Sequence, residues 1–565
     1  MKDRFADKKA RYLVMDQVPP GTEIRALLPK AKRGPVAAPI CALYNNRIVS
    51  LSYPMRSGGA LRWVTMAERA GWDAYRRSAS LMLYEAARRY NPALRLVLHQ
   101  THGDALYYDV QGLDQDRAGG ASNAVGKKRC QALEAGMRAL CREDLPIVVQ
   151  RISVDEAREL LSAQGHEDKL WLLRTHWETS VQIVSCGGFV DLFHSPTAAS
   201  TGAIRSFRVT PHEEGFLLRV PVRGSAKVRG RPKVGRKLFD THRRSRAWIG
   251  QLGAANLGQL NHLCVSGEIE PLIRVAEGGH EKWLASIADQ IASARRRVRV
   301  VLVAGPSSSG KTTFVKRLSV QLRVNGLRPV ALSVDDFFVP RERTPRDEQG
   351  NYDFECLEAL DTKLFNEVLQ QLLERGEAHV PRYDFHTGKP SPRGTWRKVR
   401  LEPDQVVLIE GIHGLNPGLT PAVSANKKFK IYISALTQLS VDDHNRIFTS
   451  DTRLLRRIVR DRRYRGYSAA ETLRRWPLVR RGEMRHIFPH QEQADVMFNS
   501  ALVYEHALLR TYAQRYLLEV DERDPAFPEA YRLLGFLRRI VPIFPDAVPQ
   551  NSILREFVGG SAFSY

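Results

Sequence analysis

Cysteine is scarce in this chain: six residues among 565, scattered, with no C-x-x-C pair and no cluster with histidine at the spacing of a zinc site. A disulfide framework is therefore excluded, and we expect free thiols in a reducing cytoplasm. The sequence also lacks any apolar run near the roughly 18 residues that a membrane helix needs. Its first residues carry Asp and Lys where a signal peptide has an apolar stretch. We expect a soluble cytoplasmic protein that binds no membrane.

Acidic residues are also in short supply. Lys and Arg number 86 against 61 Asp and Glu, which gives a net charge of +25 and a pI near 10.0. This balance favours polyanionic partners such as nucleotides, RNA or anionic surfaces, but charge alone does not choose among them. A solvated basic surface is an equally ordinary explanation of the excess.

The length predicts several folding units and the sequence has no fixed-period repeat, which excludes solenoids and propellers. At roughly 100 to 200 residues per domain, 565 residues correspond to about three or four domains. Changes in pattern divide the chain into 1–60, an α+β module with a hairpin at Asn45-Asn46; 61–222, a second α+β domain; 223–292, a basic connector and helices; 293–500, an α/β domain; and 501–565, a helical segment.

The pattern from residue 298 onward is that of a parallel sheet. Continuous apolar runs, VRVVLVAG, PVALSVDD, QVVLIEG and KIYISA, alternate with helical segments. Such runs are typical of strands covered by helices on both faces. The predicted fold class is a multidomain protein: an α/β domain with a parallel sheet, preceded by two α+β modules and followed by a helical C-terminal segment.

A basic stretch precedes this α/β domain. Residues 223–246 hold ten Lys or Arg against one Asp, with three Gly and one Pro. This composition predicts an exposed connector or loop, and its positive charge could also contact RNA phosphates.

A phosphate-binding loop is predicted between an apolar strand and an amphipathic helix. The segment GPSSSGKTT, residues 305–313, has the pattern G-x-x-x-x-G-K-[ST] in the strand–loop–helix context that this motif requires. Its backbone N–H groups and the positive end of the following helix suit phosphate oxygens. Lys311 would reach the terminal phosphates, and the Thr312 hydroxyl would ligate Mg²⁺. We expect ATP at Gly305, Ser307, Ser308, Ser309, Gly310, Lys311, Thr312 and Thr313.

Acidic residues end two of the predicted strands. Asp335 and Asp336 follow PVALSV, and Glu410 follows VVLI. All three would emerge at the carboxyl edge of the sheet, where folds of this kind bind ligands. One of the two aspartates could take a proton from an acceptor hydroxyl as the γ-phosphoryl group leaves ATP. Glu410 suits Mg²⁺, directly or through water.

Arginines at helical spacing form a third element. In DTRLLRRIVRD, residues 451–461, Arg453, Arg457 and Arg460 fall on neighbouring turns of one face. Such a cluster could clamp phosphates and stabilise the charge of a transferring phosphoryl group. A solvated basic helix is the alternative interpretation.

Together these motifs resemble the uridine kinase and phosphoribulokinase branch of P-loop kinases. The resemblance spans residues 298–500 and rests on GPSSSGKTT, VDDFF, DFECLEALD, PRYDF, LIEGIHGL and DTRLLRRIVRDRRYRG. It implies a kinase that uses ATP and Mg²⁺, with Asp335 receiving the proton of a nucleoside 5′-hydroxyl. It further implies catalytic roles for Lys311 and the lid arginines Arg457, Arg460 and Arg465, and acceptor-binding roles for Phe338, Glu355, Tyr383 and Phe385.

The sequence departs from uridine-cytidine kinases at positions that concern the acceptor. Gly388 stands where those kinases have a histidine after the YDF motif, with His386 two residues earlier. Cys356-Leu357 replaces a His-Pro pair, and Tyr467 replaces an arginine. The base of the acceptor is therefore left open.

The N-terminal half resembles the TGS module and the editing region of threonyl-tRNA synthetase. The resemblance spans residues 21–222 and rests on ALYNNRIVSL, YRRSASLMLYEA and VDLFHSPTAASTG. The positions of the editing signature, H-x-x-x-H and C-x-x-x-H, hold Arg77, Leu81, Phe193 and Thr197. Because Leu81 and Phe193 cannot ligate a metal, we expect neither a zinc site nor editing chemistry here.

Three functions are consistent with the sequence. The leading hypothesis is ATP- and Mg²⁺-dependent phosphoryl transfer to a nucleoside 5′-hydroxyl. The second is an RNA-associated nucleotide switch, in which the N-terminal half and the basic connector contact RNA or tRNA while ATP controls the affinity. The third is a kinase for another small hydroxyl compound. We expect the protein to be a homo-oligomer.

Overall fold

A computed structural model describes residues 13–15, 18–28, 34–111, 122–230, 234–348, 350–385 and 387–564. His386 and residues 231–233 of the basic connector lie outside these ranges. Within the described ranges, no helix combines the length and the hydrophobicity of a membrane span.

The first unit is an antiparallel sheet with a tight turn. Its strands are β1 (Leu13–Met15), β2 (Pro39–Tyr44), β3 (Arg47–Ser50) and β4 (Gly59–Thr65), in the order β1-β4-β2-β3. Asn45 and Asn46 join β2 to β3 with positive φ angles of 46° and 56°, as a type I′ hairpin requires. The hairpin predicted at these asparagines is confirmed.

The second unit packs long helices against antiparallel sheets. In chain order its elements are α1 (Arg69–Tyr90), β5 (Arg95–His102), β6 (Ala105–Gln111), α2 (Ser122–Glu143), β7 (Ile147–Ser153), α3 (Val154–Ala163), α4 (Glu167–Leu173), β8 (Ser180–Cys186), β9 (Phe189–Leu192), β10 (Arg208–His212) and β11 (Gly215–Arg219). The strand orders are β10-β11-β6-β5 and β7-β8-β9. Helix α1 contacts both sheets, and its middle, including Leu81 and Met82, is fully buried because neighbours surround it.

Helices link the second unit to the remainder of the chain. They are α5 (Arg236–Gln251), α6 (Leu257–Ser266) and α7 (Ile269–Ser293). The interpretation of residues 223–246 as a connector or loop is therefore wrong from Arg236 onward. The helix forms there because Phe239 and Ile249 give α5 a face that is buried against its neighbours.

The third unit is a parallel sheet covered by helices on both faces. In chain order its elements are β12 (Val300–Ala304), α8 (Lys311–Val324), β13 (Pro329–Ser333), α9 (Thr362–Arg375), β14 (Glu377–Val380), β15 (Tyr383–Asp384), β16 (Lys389–Pro390), β17 (Arg397–Arg400), β18 (Val406–Glu410), β19 (Lys428–Ser434), β20 (Ser440–Asp442), β21 (Asn445–Arg446), α10 (Thr449–Tyr464), α11 (Ala469–Gly482) and β22 (Val496–Asn499). The sheet order is β13-β18-β12-β19-β22, and all its pairs are parallel.

Alternate residues of β12 explain how both faces of this sheet are covered. Val301 shares a hydrophobic cluster with Phe314 of α8, whereas Leu302 shares another with Phe365 of α9. Side chains alternate between the faces of a strand, so a strand buried on both faces is a continuous apolar run. The predicted fold class is confirmed.

The C-terminal segment is helical and returns to the start of the parallel sheet. Its helices are α12 (Glu505–Leu518), α13 (Phe527–Leu537) and α14 (Arg555–Val558). Helix α14 packs against α10. Beyond α14 the chain reaches α8, where Lys316 donates a hydrogen bond to the carbonyl oxygen of Ser564.

Candidate active site

The phosphate loop, residues 305–313, has the backbone of an anion cradle. Ser308 (φ 58°) and Gly310 (φ 85°) are left-handed, a conformation that turns successive N–H groups inward. A Cβ on Gly305 would lie 2.0 Å from the carbonyl oxygen of Ile433, so glycine is required there. Helix α8 begins at Lys311, and its positive end therefore faces the loop.

Two hydroxyl groups of the phosphate loop are buried and could bind a ligand. In the described part of the chain, the Ser308 and Ser309 hydroxyls are buried without a hydrogen-bond partner. The Lys311 ammonium donates a long hydrogen bond of 3.4 Å to the carbonyl oxygen of Pro306. Buried polar groups without partners are costly, and phosphate oxygens would satisfy them. The loop therefore fits the triphosphate that the sequence predicts.

A hydroxyl and a carboxylate lie together where the sequence predicts Mg²⁺. Thr312 Oγ1 is 3.5 Å from Glu410 Oε1, which joins the start of α8 to the end of β18. Burial raises the pKa of Glu410 to about 7, although the Lys311 charge opposes the shift. Oxygen ligands suit Mg²⁺, and a cation would restore the ionised carboxylate. The described ranges hold no group of three or more His, Cys, Asp or Glu that could bind a metal ion.

Asp335 lies in the turn after β13, at the same edge of the sheet. Its side chain is exposed to water. Desolvation by the surrounding protein nevertheless raises its pKa, while the charges of Lys311, Arg465 and Arg460 oppose this shift. We call the space bordered by Lys311, Asp335 and Arg465 the cleft. Asp336, the next residue, lines a cavity of about 430 Å³ beside α8 together with Thr312 and Glu410.

Two arginines of α10 hold the phosphate loop. Arg457 Nη1 donates to Ser307 Oγ at 2.8 Å, and Arg453 Nη1 donates to the Ser307 carbonyl oxygen at 3.0 Å. Arg453 is also buried in a bidentate ion pair with Glu483. Arg453 therefore fixes the loop, whereas Arg457 has its guanidinium at the border between the loop and the cleft.

Asp461 forms ion pairs with the three predicted lid arginines. Its carboxylate lies 3.2 Å from Arg457 Nε, 3.2 Å from Arg460 Nη2 and 3.6 Å from Arg465 Nη1. The charge of Arg460, followed by burial, lowers the pKa of Arg465 to about 10. Crowded cations of this kind are stabilised by an anion. All three predicted arginines thus contact one carboxylate, that of Asp461.

Aromatic rings pack around Phe338, which follows Asp335 by three positions in the chain. The ring centroid of Phe338 is 5.5 Å from Tyr383 and 6.0 Å from Phe385, and the latter two are 5.1 Å apart. Phe354, which the sequence analysis missed, joins them at 6.4 Å from Phe338. Phe354 and Phe385 are exposed. We call these four residues the aromatic cluster; it offers apolar surface to a ligand.

Glu355 adds a carboxylate next to the aromatic cluster. Its Oε2 atom is buried and has no hydrogen-bond partner among the described residues. A Cβ on Gly482 would lie 2.3 Å from that of Glu355, so α11 packs closely against the side chain. Burial, and then the charge of Glu483, raise the pKa of Glu355 to about 7, against the effect of Arg457. A buried acceptor without a partner suits a ligand hydroxyl.

One acidic residue at the phosphate loop belongs to no motif and could not be predicted from the sequence. Glu556 of α14 accepts hydrogen bonds from Thr313 Oγ1 at 2.8 Å and from the Thr313 backbone N at 3.3 Å. The Thr313 N–H belongs to the first turn of α8, one of the groups that should face phosphate. The two residues are 243 positions apart, so no motif spacing could link them.

The third unit matches a known protein family. Residues 300–505 match the Phosphoribulokinase / Uridine kinase family. This part of the chain is similar to that family. We call it the kinase domain, because the match supports a P-loop phosphotransferase, as the motifs predict, while the family name itself covers more than one acceptor.

The N-terminal half of the chain is similar to threonine–tRNA ligases. Identity is 27% over 171 residues with the enzyme of Carboxydothermus hydrogenoformans and 28% over 170 residues with that of Rubrobacter xylanophilus. Each match covers 30% of this chain, and 26% and 25% of the respective relative. The chain thus spans about a quarter of the length of these relatives. The resemblance predicted for this half is confirmed.

Solved structures of kinases are distant from the chain. A possible uridine kinase from Bacillus stearothermophilus is 22% identical and covers 38% of this chain and 97% of its own, with a TM-score of 0.25. A D-glycerate 3-kinase from Cryptococcus neoformans is 17% identical and covers 47% of this chain and 89% of its own, with a TM-score of 0.22. Likeness of this degree says nothing about the acceptor of the kinase domain.

Glu556→Gln is expected to tighten ATP binding to the kinase domain by about threefold to tenfold. The amide keeps the hydrogen bond from Thr313 but removes a negative charge that the nucleotide phosphates must approach. Calorimetric titration with ATP measures the effect, with Glu374→Gln, an exposed glutamate of α9, as the control. Weaker binding in Glu556→Gln would instead mean that the carboxylate positions α8 for the nucleotide.

Proposed function

We propose that this chain is an ATP- and Mg²⁺-dependent kinase that phosphorylates the 5′-hydroxyl of a nucleoside. The observation that carries the proposal is the aromatic cluster, in which Phe354 and Phe385 are exposed. A flat base covers exposed rings by stacking on them. A small acceptor such as glycerate would leave them uncovered, which is why we favour a nucleoside.

Each part of such an acceptor has a matching group. The unpartnered oxygen of Glu355 would accept a hydrogen bond from a ribose hydroxyl. Asp335 would take the 5′-hydroxyl proton while that oxygen bonds to the γ-phosphorus and the bond to ADP breaks. Lys311 and Arg457 would stabilise the charge on the phosphoryl oxygens. When bound, Mg²⁺ neutralises charge on the β- and γ-phosphates.

Arg341 bears on which base is accepted. A Cβ on Gly388 would lie 2.6 Å from Arg341 Nε, so this arginine adjoins the position that a histidine has in uridine-cytidine kinases. Its Nη2 donates to the carbonyl oxygen of Phe385 at 2.7 Å, which fixes it beside the aromatic cluster. A guanidinium can only donate hydrogen bonds. We therefore expect a base that presents carbonyl oxygens, and uracil, the base of uridine, is one of several that do.

The proposal is tested with the purified protein, MgATP, a panel of nucleosides and D-glycerate. ADP release and the mass of the product identify the acceptor. We expect at least one nucleoside 5′-monophosphate and no phosphoglycerate. Phosphorylation of glycerate or a sugar without any nucleoside would contradict the proposal, and ADP release without a phosphorylated acceptor would favour a nucleotide switch.

The KM for the nucleoside is expected to fall as the pH rises through about 7. Since the pKa of Glu355 is raised to about 7, its carboxyl group is protonated below that pH and ionised above it. The ionised form can accept hydrogen bonds from both ribose hydroxyls. Glu355→Gln should give a high KM that changes little between about pH 6 and 8. Initial rates at saturating MgATP measure both proteins, and a pH-independent KM in the wild type would place Glu355 outside the acceptor site.

A further inference from the structure

A small hairpin of the kinase domain enters the second unit. It consists of β20 and β21, between β19 and α10, and its residues Asp442, His444 and Asn445 are buried. The carbonyl oxygen of Asp443 accepts a hydrogen bond of 2.8 Å from the N–H of Leu98. Leu98 belongs to β5, the edge strand of its sheet. The hairpin therefore covers an edge that would otherwise present unpaired backbone groups.

Arg77 of the second unit binds the tip of this hairpin. Its Nη2 donates to Asp191 Oδ2 at 2.7 Å, and its Nη1 donates to Asn445 Oδ1. Arg77 stands at the first position of the editing signature in the synthetase resemblance. Leu81, at the second position, is packed in the hydrophobic core. At the first of these positions, therefore, the side chain contacts the kinase domain, and at the second it is buried within the second unit.

Lys169 supplies a buried positive charge under the hairpin. Its Nζ lies 3.1 Å from Asp168, 3.5 Å from Asp191 and 3.5 Å from Asp442. Burial alone would lower the pKa of Lys169, but the aspartates raise it above its usual value. His194 Nε2 is 2.8 Å from the other oxygen of Asp442. Removing one member of such a buried network leaves an uncompensated charge, so the network holds the hairpin in one place.

The hairpin leads directly into the helix that contacts the phosphate loop. Helix α10 begins at Thr449, soon after β21 ends at Arg446. Arg446 Nη1 donates to Thr101 Oγ1 of β5 at 2.5 Å. Arg453 and Arg457 follow within the first turns of α10 and bind Ser307. A continuous path of hairpin, helix and loop therefore connects the second unit to the phosphate site.

We propose that the second unit is a positioning domain for the kinase: it holds the hairpin so that α10 presents Arg453 and Arg457 to the phosphate loop. The proposal rests on the proposed function insofar as these arginines act in phosphoryl transfer. It assigns positioning roles to the residues that contact the hairpin, namely Arg77, Lys169, Asp191 and His194. It also implies that an RNA end cannot enter this part of the second unit while the hairpin is in place.

Asp442→Asn tests the proposal, with Asp240→Asn in α5 as a control for the same change at a solvent-exposed ion pair. We expect kcat to fall by about tenfold or more in Asp442→Asn, while the KM for ATP stays within about threefold. The reason is that the loop backbone still binds nucleotide but Arg457 no longer faces the transferring group. Wild-type kcat in Asp442→Asn would overturn the proposal.

A double-mutant cycle with Arg457→Lys separates positioning from stability. If the hairpin acts through α10, Asp442→Asn costs less kcat in the Arg457→Lys background than in the wild type. A purely structural hairpin predicts additive losses and a lower unfolding temperature in both backgrounds. Additivity of the two changes would therefore overturn the proposal.

Hydrogen exchange of residues 449–457 measures the position of α10 without any acceptor. We expect faster exchange in Asp442→Asn than in Asp240→Asn, and unchanged exchange would overturn the proposal. If the wild type phosphorylates no nucleoside, the proposed function fails while this measurement still decides the role of the hairpin. Should Asp442→Asn not fold, His194→Gln weakens the same carboxylate contact from the second unit, with an expected loss of about threefold in kcat and the same change in exchange.

Discussion

Lys311→Ala is expected to lower phosphoryl transfer by about 10³-fold and to leave the unfolding temperature nearly unchanged. The ammonium lies at the start of α8 and donates a long hydrogen bond of 3.4 Å to the carbonyl oxygen of Pro306. Losing it therefore removes little from the folded state and leaves no cavity in the core. Losing it at the transition state removes a positive charge from the phosphoryl oxygens, which is where the large effect arises.

Lys363→Ala is the matched control for this change, because Lys363 is an exposed lysine of α9 on the same domain. Steady-state ADP release and thermal unfolding are measured on both variants. Wild-type turnover in Lys311→Ala would show that the phosphate site is wrongly assigned. A large fall in its unfolding temperature would instead give Lys311 a structural role.

The phosphate loop could be predicted because its determinants are local. The left-handed residue Gly310, the close approach at Gly305 and the helix start at Lys311 all fall within residues 305–313. The position of Asp335 and Glu410 at one edge also follows from the sequence, because the carboxyl ends of parallel strands share an edge. The geometry of such a motif is set by neighbouring residues, so it depends little on distant parts of the chain.

The different roles of Arg453 and Arg457 in α10 could not be predicted. Arg453 and Arg457 share a helix face, and helical spacing treats them alike. Only the packing of Glu483 against Arg453 makes one a buried support and leaves the other at the border of the cleft. Glu483 and Glu556 come from distant segments without motifs, so the contacts that complete the site depend on tertiary structure.

The hairpin of β20 and β21 shows that a polar segment of sequence is not always exposed. The run Asp442 to Asn445 is entirely polar and is typical of a surface turn. Three of these four residues are buried, because Lys169 of another unit pairs with the Asp442 carboxylate and Arg77 donates a hydrogen bond to Asn445. Polar residues are rarely buried unless paired, and a sequence does not reveal a partner some 270 positions away.

Asp335→Asn is expected to preserve ATP binding and to lower phosphoryl transfer by about 10²-fold or more, the size of a general-base and positioning contribution. Asparagine has nearly the same shape, and Asp335 is exposed to water beside Lys311, so neither the fold nor the phosphate loop should be disturbed. An amide cannot take the acceptor proton, however, and the loss should therefore lie in the chemical step.

Asp336→Asn is the control that decides between the adjacent carboxylates, because the Asp336 carboxylate already accepts a hydrogen bond from the backbone of Tyr383. Calorimetry gives the Kd for ATP, and single-turnover kinetics give the rate of phosphoryl transfer apart from product release. In Asp335→Asn the Kd should stay within about twofold of wild type while the rate falls; in Asp336→Asn both should stay close to wild type. An equal loss of ATP affinity and rate in Asp335→Asn would point to a metal-binding role for Asp335, and the base would then be Asp336.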